Sequence, residues 1–127
     1  MAGMTNYLRN KVVDWFHRGV AFTPPDPLYL RLVSTTPTPA TAGTELSGSG
    51  YAPVSIAKST TAWAATNANG STTNPSSGTN GTTSNNAVLD FGTAAAAWGT
   101  ASHWELWDAA SGGNRFAGSV AERRRTD

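Results

Sequence analysis

Few side chains in this sequence are able to do acid–base or metal chemistry. There are two histidines, His17 and His103. A metal site needs several ligands converging, and neither a His-x-x-x-His nor a His-Glu-x-x-His spacing occurs. Asp14 and His17 lie three apart on a helical stretch and read as an ordinary surface pair. The acids open to a glycosidase pairing are Asp14, Asp26, Glu45, Asp90, Glu105 and Asp108. Two carboxylates flanking one bond form a pattern in space, not in spacing. Asp90 and Asp108 adjoin turn residues and are expected to end strands or cap turns. Glycine is plentiful, yet no Gly-x-x-x-x-Gly-Lys phosphate loop and no Gly-x-Ser-x-Gly elbow is present. The Ser-Gly-Ser-Gly run ending at Gly50 reads as a turn. The expectation is no catalytic residue, no cofactor and no metal.

Aromatic chemistry is better represented. The chain has five tryptophans, and such rings bind sugars, stack bases, fill cores or anchor interfaces. Trp104 and Trp107 fall on opposite faces of one strand-like run, so one is expected to face the core and the other a subunit contact. The candidate contact residues are Trp15, Trp63, Trp104 and Trp107, with the basic cluster Arg123, Arg124 and Arg125. Three arginines suit an acidic groove or nucleic acid, but equally a solvated tail.

Composition bounds these readings. The 127 residues suit one domain with a modest core. Charged residues make up 13%, about half the usual share. Thr, Ser, Ala, Gly and Asn replace them, residues that suit turns and pleated strands and compete with helix hydrogen bonding. A low-charge surface also suits contact with other proteins. The net charge of +1 draws in neither nucleic acid nor acidic lipid. The absence of cysteine excludes disulfides, thiolate catalysis and Cys-ligated zinc. No run reaches the length of a membrane span or a signal peptide's apolar stretch.

The elements that must position the aromatics follow from periodicity. Residues 5–18 form the one good helix candidate. Thr5 is the N-cap, Leu8, Val12, Trp15 and Phe16 share a face, and Gly19 is the stop. An amphipathic stripe favours a lid over the β core; the other reading is an arm docked on a partner. Residues 22–27 are proline-rich and extended. Strands are expected at 28–33, 51–58, 60–67, 87–91, 101–108 and 114–120, the last two joined as a hairpin by the turn 108–113. Pro53 assigns its strand to an edge or bulge. Residues 68–86 form a polar loop with turn signals at Asn69-Gly70 and Asn80-Gly81. The expected fold is mainly β, an antiparallel β-sandwich or barrel-like domain with one short N-terminal helix. Its parts are a helix in 1–20 on the core or a partner, a β-domain over 21–120, and a basic tail at 121–127.

Two segments carry a resemblance. One is Leu28-Tyr-Leu-Arg-Leu-Val-Ser-Thr-Thr-Pro-Thr38 followed by Gly43-Thr-Glu-Leu-Ser-Gly-Ser-Gly-Tyr-Ala-Pro53. The other is Trp98-Gly-Thr-Ala-Ser-His-Trp-Glu-Leu-Trp-Asp-Ala-Ala-Ser-Gly-Gly-Asn114. Together they resemble a family of small tailed-phage virion proteins described as tail-fibre-like or head-decoration proteins. Pro53 stands where relatives often carry a basic residue, and the tail after Val120 is shorter than theirs. The resemblance implies a non-enzymatic β-sandwich component of the virion, assembled in the host cytoplasm. The first expectation is a capsid decoration or cement protein bridging capsid subunits. The second is a tail-fibre, neck or baseplate-associated module contacting host glycans. Expected partners are copies of the chain, in a homo-oligomer such as a trimer, and the major capsid protein or tail components. Neither a membrane nor a specific nucleic acid is among them.

Overall fold

The computed structural model describes residues 2–67, 72–79 and 81–119. Five strands and one helix follow in the order β1 (Ala2–Met4), α1 (Asn6–Arg18), β2 (Leu28–Val33), β3 (Val54–Ile56), β4 (His103–Trp107) and β5 (Arg115–Ser119). All five strands join one antiparallel sheet in the spatial order β1-β5-β4-β2-β3. The mainly β, antiparallel fold with a single N-terminal helix is as expected. The sheet stays open, with β1 and β3 as its edges, and does not close into a barrel.

Register follows the alternation in the sequence. Tyr29, Arg31 and Val33 of β2 stand opposite Trp107, Glu105 and His103 of β4. Leu30 and Leu32 stand opposite Leu106 and Trp104. Because side chains alternate along a strand, the first set shares one face and the second the other. At β5 the register shifts between Leu106 and Trp107. Trp107 pairs with Arg115 and Leu106 with Ala117, so Phe116 is the extra residue of a β-bulge. The hairpin turn is closed by Asp108, whose carboxylate accepts from the backbone and side-chain amides of Asn114.

The helix ends where the sequence places them. Thr5 adopts extended geometry and its hydroxyl accepts from the Leu8 amide, the N-cap arrangement that satisfies an otherwise orphaned donor. Gly19 takes φ +68, left-handed, and stops the helix as expected for a glycine free of Cβ strain.

Three features add to or depart from the sequence reading. First, α1 covers the sheet only in part: Tyr7 meets Phe116 of β5 edge-on, and none of the helix residues is fully buried. Its half-buried residues, Tyr7, Leu8, Lys11 and Asp14, follow one side. The rest of the expected apolar stripe faces solvent, with Trp15 57% and Phe16 71% exposed. Second, no strand forms at 60–67 or 87–91; the former contributes only an isolated bridge, Trp63 to Asn85. The expected strand at 51–58 shortens to Val54–Ile56. Residues 60–67 and 87–91 carry strand-like residues, but no strand of the sheet runs beside them, and a strand is stabilised by its cross-strand pairs. Third, β1 occupies Ala2–Met4, where the residues carry no strand signal; it forms because β5 offers it an edge. The polar segment is described in part, and Thr66 and Gly78 meet there through the Gly78 amide and the Thr66 hydroxyl at 2.9 Å. Arg123, Arg124 and Arg125 lie outside the described residues.

Candidate functional site

The face bearing Arg31 and Glu105 is charged and closed. Arg31 is 5% exposed and Glu105 1%. Burying a charge is costly unless it is paired and hydrogen-bonded, and both are heavily engaged. The Arg31 guanidinium lies 4.0 Å from the Trp107 ring centroid, in cation–π contact. It also donates to the carbonyls of Ala109 and Gly112 at 2.6 and 2.8 Å, which fastens the β4–β5 turn against the sheet. Its Nε finds no hydrogen-bond partner among the described residues. Glu105 accepts from Trp107 Nε1 at 3.1 Å and from the Gly43 amide at 2.7 Å, and it pairs with Arg115 at 3.7 Å. Arg115 donates in turn to the Thr38 carbonyl. The loop 34–45 is thereby laid over the sheet. A Cβ on Gly43 would stand 2.6 Å from the Thr35 carbonyl oxygen and 2.8 Å from Val33 Cγ2, so only glycine allows the approach.

Glu45 closes the other end of this network. It forms a bridge with Val33 and approaches Arg31 at 4.0 Å. Tyr51 donates to Glu45 Oε2 at 2.7 Å and accepts from the Leu32 amide at 3.2 Å. That amide falls between the stretch of β2 paired with β3 and the stretch met by residues 44–46. The tyrosine hydroxyl fills the gap in the ladder. Burial first, then the hydrogen bond to Glu45, push the Tyr51 phenol up to about 12.

Every acid considered for catalysis has a local partner. Asp14 pairs with Arg18 at 3.4 Å, not with His17. Asp26 accepts from the Lys58 amide, Asp90 from the Gly92 amide, and Asp108 from Asn114. Glu105 is shut away from any substrate in solvent. No group of three or more His, Cys, Asp or Glu able to hold a metal occurs among the described residues. His103 Nδ1 lies 2.9 Å from the Ser102 hydroxyl. A small pocket between β1, β5 and the 37–39 turn contains Arg115, already committed to Glu105 and Thr38. Among the described residues these groups brace loops against the sheet.

The candidate contact residues lie apart from one another. Trp107 is half-buried under Arg31 on the charged face; Trp104 is half-buried on the opposite, apolar face with Leu30, Leu32 and Leu106. Trp63 is half-buried at its bridge to Asn85. Trp15 is exposed beside Phe16, with ring centroids 6.3 Å apart. A further aromatic group was not among the candidate contact residues. Tyr51 stacks on Phe91 at 6.1 Å and meets Trp98 edge-on at 5.4 Å, while Trp98 Nε1 donates to the Ser49 carbonyl. Tyr51 precedes β3 while Phe91 and Trp98 lie in the long connection from β3 to β4, so no spacing announces the group.

No curated protein matches the chain. A protein-family model described as podophage GP4 fiber I protein gp80 matches residues 3–126. That span takes in the described sheet except Ala2, together with the helix and the loops that cover them, so the chain belongs to the podophage GP4 fiber I protein gp80 family.

Proposed function

We propose that this chain is a non-enzymatic structural module of a phage tail fibre, carried in the virion and joined to copies of itself and to neighbouring tail components by apolar contact. The observation that carries the reading is the fibre-family match over residues 3–126. It favours an appendage over the head-cement role. The closed charged face supplies rigidity: its buried groups tie loop 34–45 and the β4–β5 turn to the sheet. The exposed aromatics of α1 and the half-buried Trp104 supply adhesive surface. Clustered aromatic side chains carry most of the energy at interfaces. The loop-borne rings Tyr51, Phe91 and Trp98 are the surface offered to host glycans. In this reading the chain is assembled into particles in the host cytoplasm.

Quantitative mass spectrometry of purified virions, scaled to the major capsid protein, tests the assignment. A few to a few dozen copies, lost when tails are sheared from heads, are expected. Hundreds of copies that stay with the heads would return the chain to the cement role, and absence from particles would end both readings.

A further inference from the structure

We infer that the N-terminal arm, β1 with α1, is exchanged between two copies of this chain, each arm seating on the β5 edge of the other. The inference rests on the self-association in the reading above and specifies its contact. The seat is already defined within one chain. Ala2, Gly3 and Met4 pair with Ser119, Gly118 and Ala117. The Thr5 amide donates to the Phe116 carbonyl at 3.0 Å, and the Thr5 hydroxyl to the Arg115 carbonyl at 2.7 Å. Tyr7 meets Phe116 edge-on at 5.3 Å. Among the described elements the arm touches β5 alone. Nothing in that seat requires that arm and edge belong to the same chain, which is the condition for swapping an identical element.

The hinge and its surroundings favour exchange. Gly19, Val20 and Ala21 are all exposed, and they separate α1 from Phe22, which stacks on Phe116 at 6.3 Å. The segment beyond, Thr-Pro-Pro-Asp-Pro, is held extended by its prolines. The exposed apolar residues lie beside this hinge: Phe16 at 71%, Trp15 at 57% and Val20 at 46%. In a closed monomer they face solvent. When two arms cross, the two hinges run side by side, and these residues meet their own copies across the crossing. The second copy is thus the occupant that covers them.

The test uses the absence of natural cysteine. Thr5 and Phe116 form a hydrogen-bonded pair, so the adjacent Met4 and Ala117 form a non-hydrogen-bonded pair, close enough for a disulfide. Full-length M4C/A117C is oxidised and run on non-reducing gels, beside light scattering of the unmodified chain. Exchange gives a dimer in solution and disulfides between chains. A dimer whose disulfides all lie within chains overturns exchange and leaves self-association through another face. A monomer at every concentration overturns exchange and the self-association it rests on. Phe16→Lys, which needs no cysteine pair, is expected to weaken the dimer at least about tenfold, the scale of losing an interface anchor. An unchanged dimerisation constant for this variant counts against exchange.

Discussion

At the residue scale, the molecule places ionisable groups where a small β protein ordinarily places leucine. Arg31, Glu45 and Tyr51 form one group and Glu105 with Arg115 another, and Trp107, under the Arg31 guanidinium and donating to Glu105, joins the two beneath the 34–45 loop. Such a set rigidifies when every member is satisfied and is costly when one is removed. Tyr51 gives a pH test. Its folded pKa of about 12 lies above the ordinary 10, so the fold holds the neutral phenol more tightly than the unfolded chain does. The associated stability is fully present below pH 10 and lost as pH rises through about 12. In that window the unfolded chain has released its proton while the folded one keeps it. Tyr51→Phe removes this dependence and leaves the Leu32 amide without its acceptor, at a cost of about 1–3 kcal/mol at neutral pH. Urea midpoints of both proteins at pH 8 and pH 11 read the effect. The gap between them is expected to narrow at the higher pH, and a constant gap would remove Tyr51 as the titrating group.

At the element scale, β1 and α1 are held by one residue more than by any stripe. Thr5, 3% exposed, caps the helix and donates to the backbone of the bulged strand. Thr5→Val keeps the shape and loses both functions. Losing an N-cap alone costs about 0.5–2 kcal/mol, and the stranded β5 carbonyl adds to it. A drop of several degrees in melting temperature with reduced helical circular dichroism is expected, and Thr5→Ser should restore most of both. If Thr5→Val melted with the parent, the helix would be held by something other than its cap. The cap and the Gly19 stop were legible in the sequence because they are local chemistry, as were β2, the β4–β5 hairpin and the opposite faces of Trp104 and Trp107. What was not legible depends on distant partners. Ala2–Met4 becomes a strand only because β5, more than a hundred residues away in sequence, lacks a neighbour on that side. The run at 60–67 has the residues of a strand and no sheet to join. The charged network was hidden for the same reason, since Glu45 and Glu105 reach Arg31 and Gly43 only after folding.

At the scale of the whole molecule, the sheet is built by long-range pairing while the polar segment contributes chiefly to its own closure. β2 meets β4 across about seventy residues, and most of that span is loop. Within it, Ala64 receives the Thr83 hydroxyl and donates to the Ser84 carbonyl at 2.9 Å. Thr66 meets Ser76 and Gly78 farther out. The two arms of the segment are therefore already side by side at Thr66 and Gly78. Replacing residues 67–77 by Asn-Gly should close the segment as a tight turn and leave the bridge between Trp63 and Asn85 in place. Closure entropy changes slowly with loop length, by about 0.6 kcal/mol per doubling, so the urea midpoint should stay within about 1 kcal/mol of the parent with an unchanged slope. A larger loss, or a slope reporting less surface exposed on unfolding, would mean that the segment packs on the sheet. Survival of the shortened chain as a fibre component would then separate the scaffold, which has to fold, from a polar projection that lies outside its core.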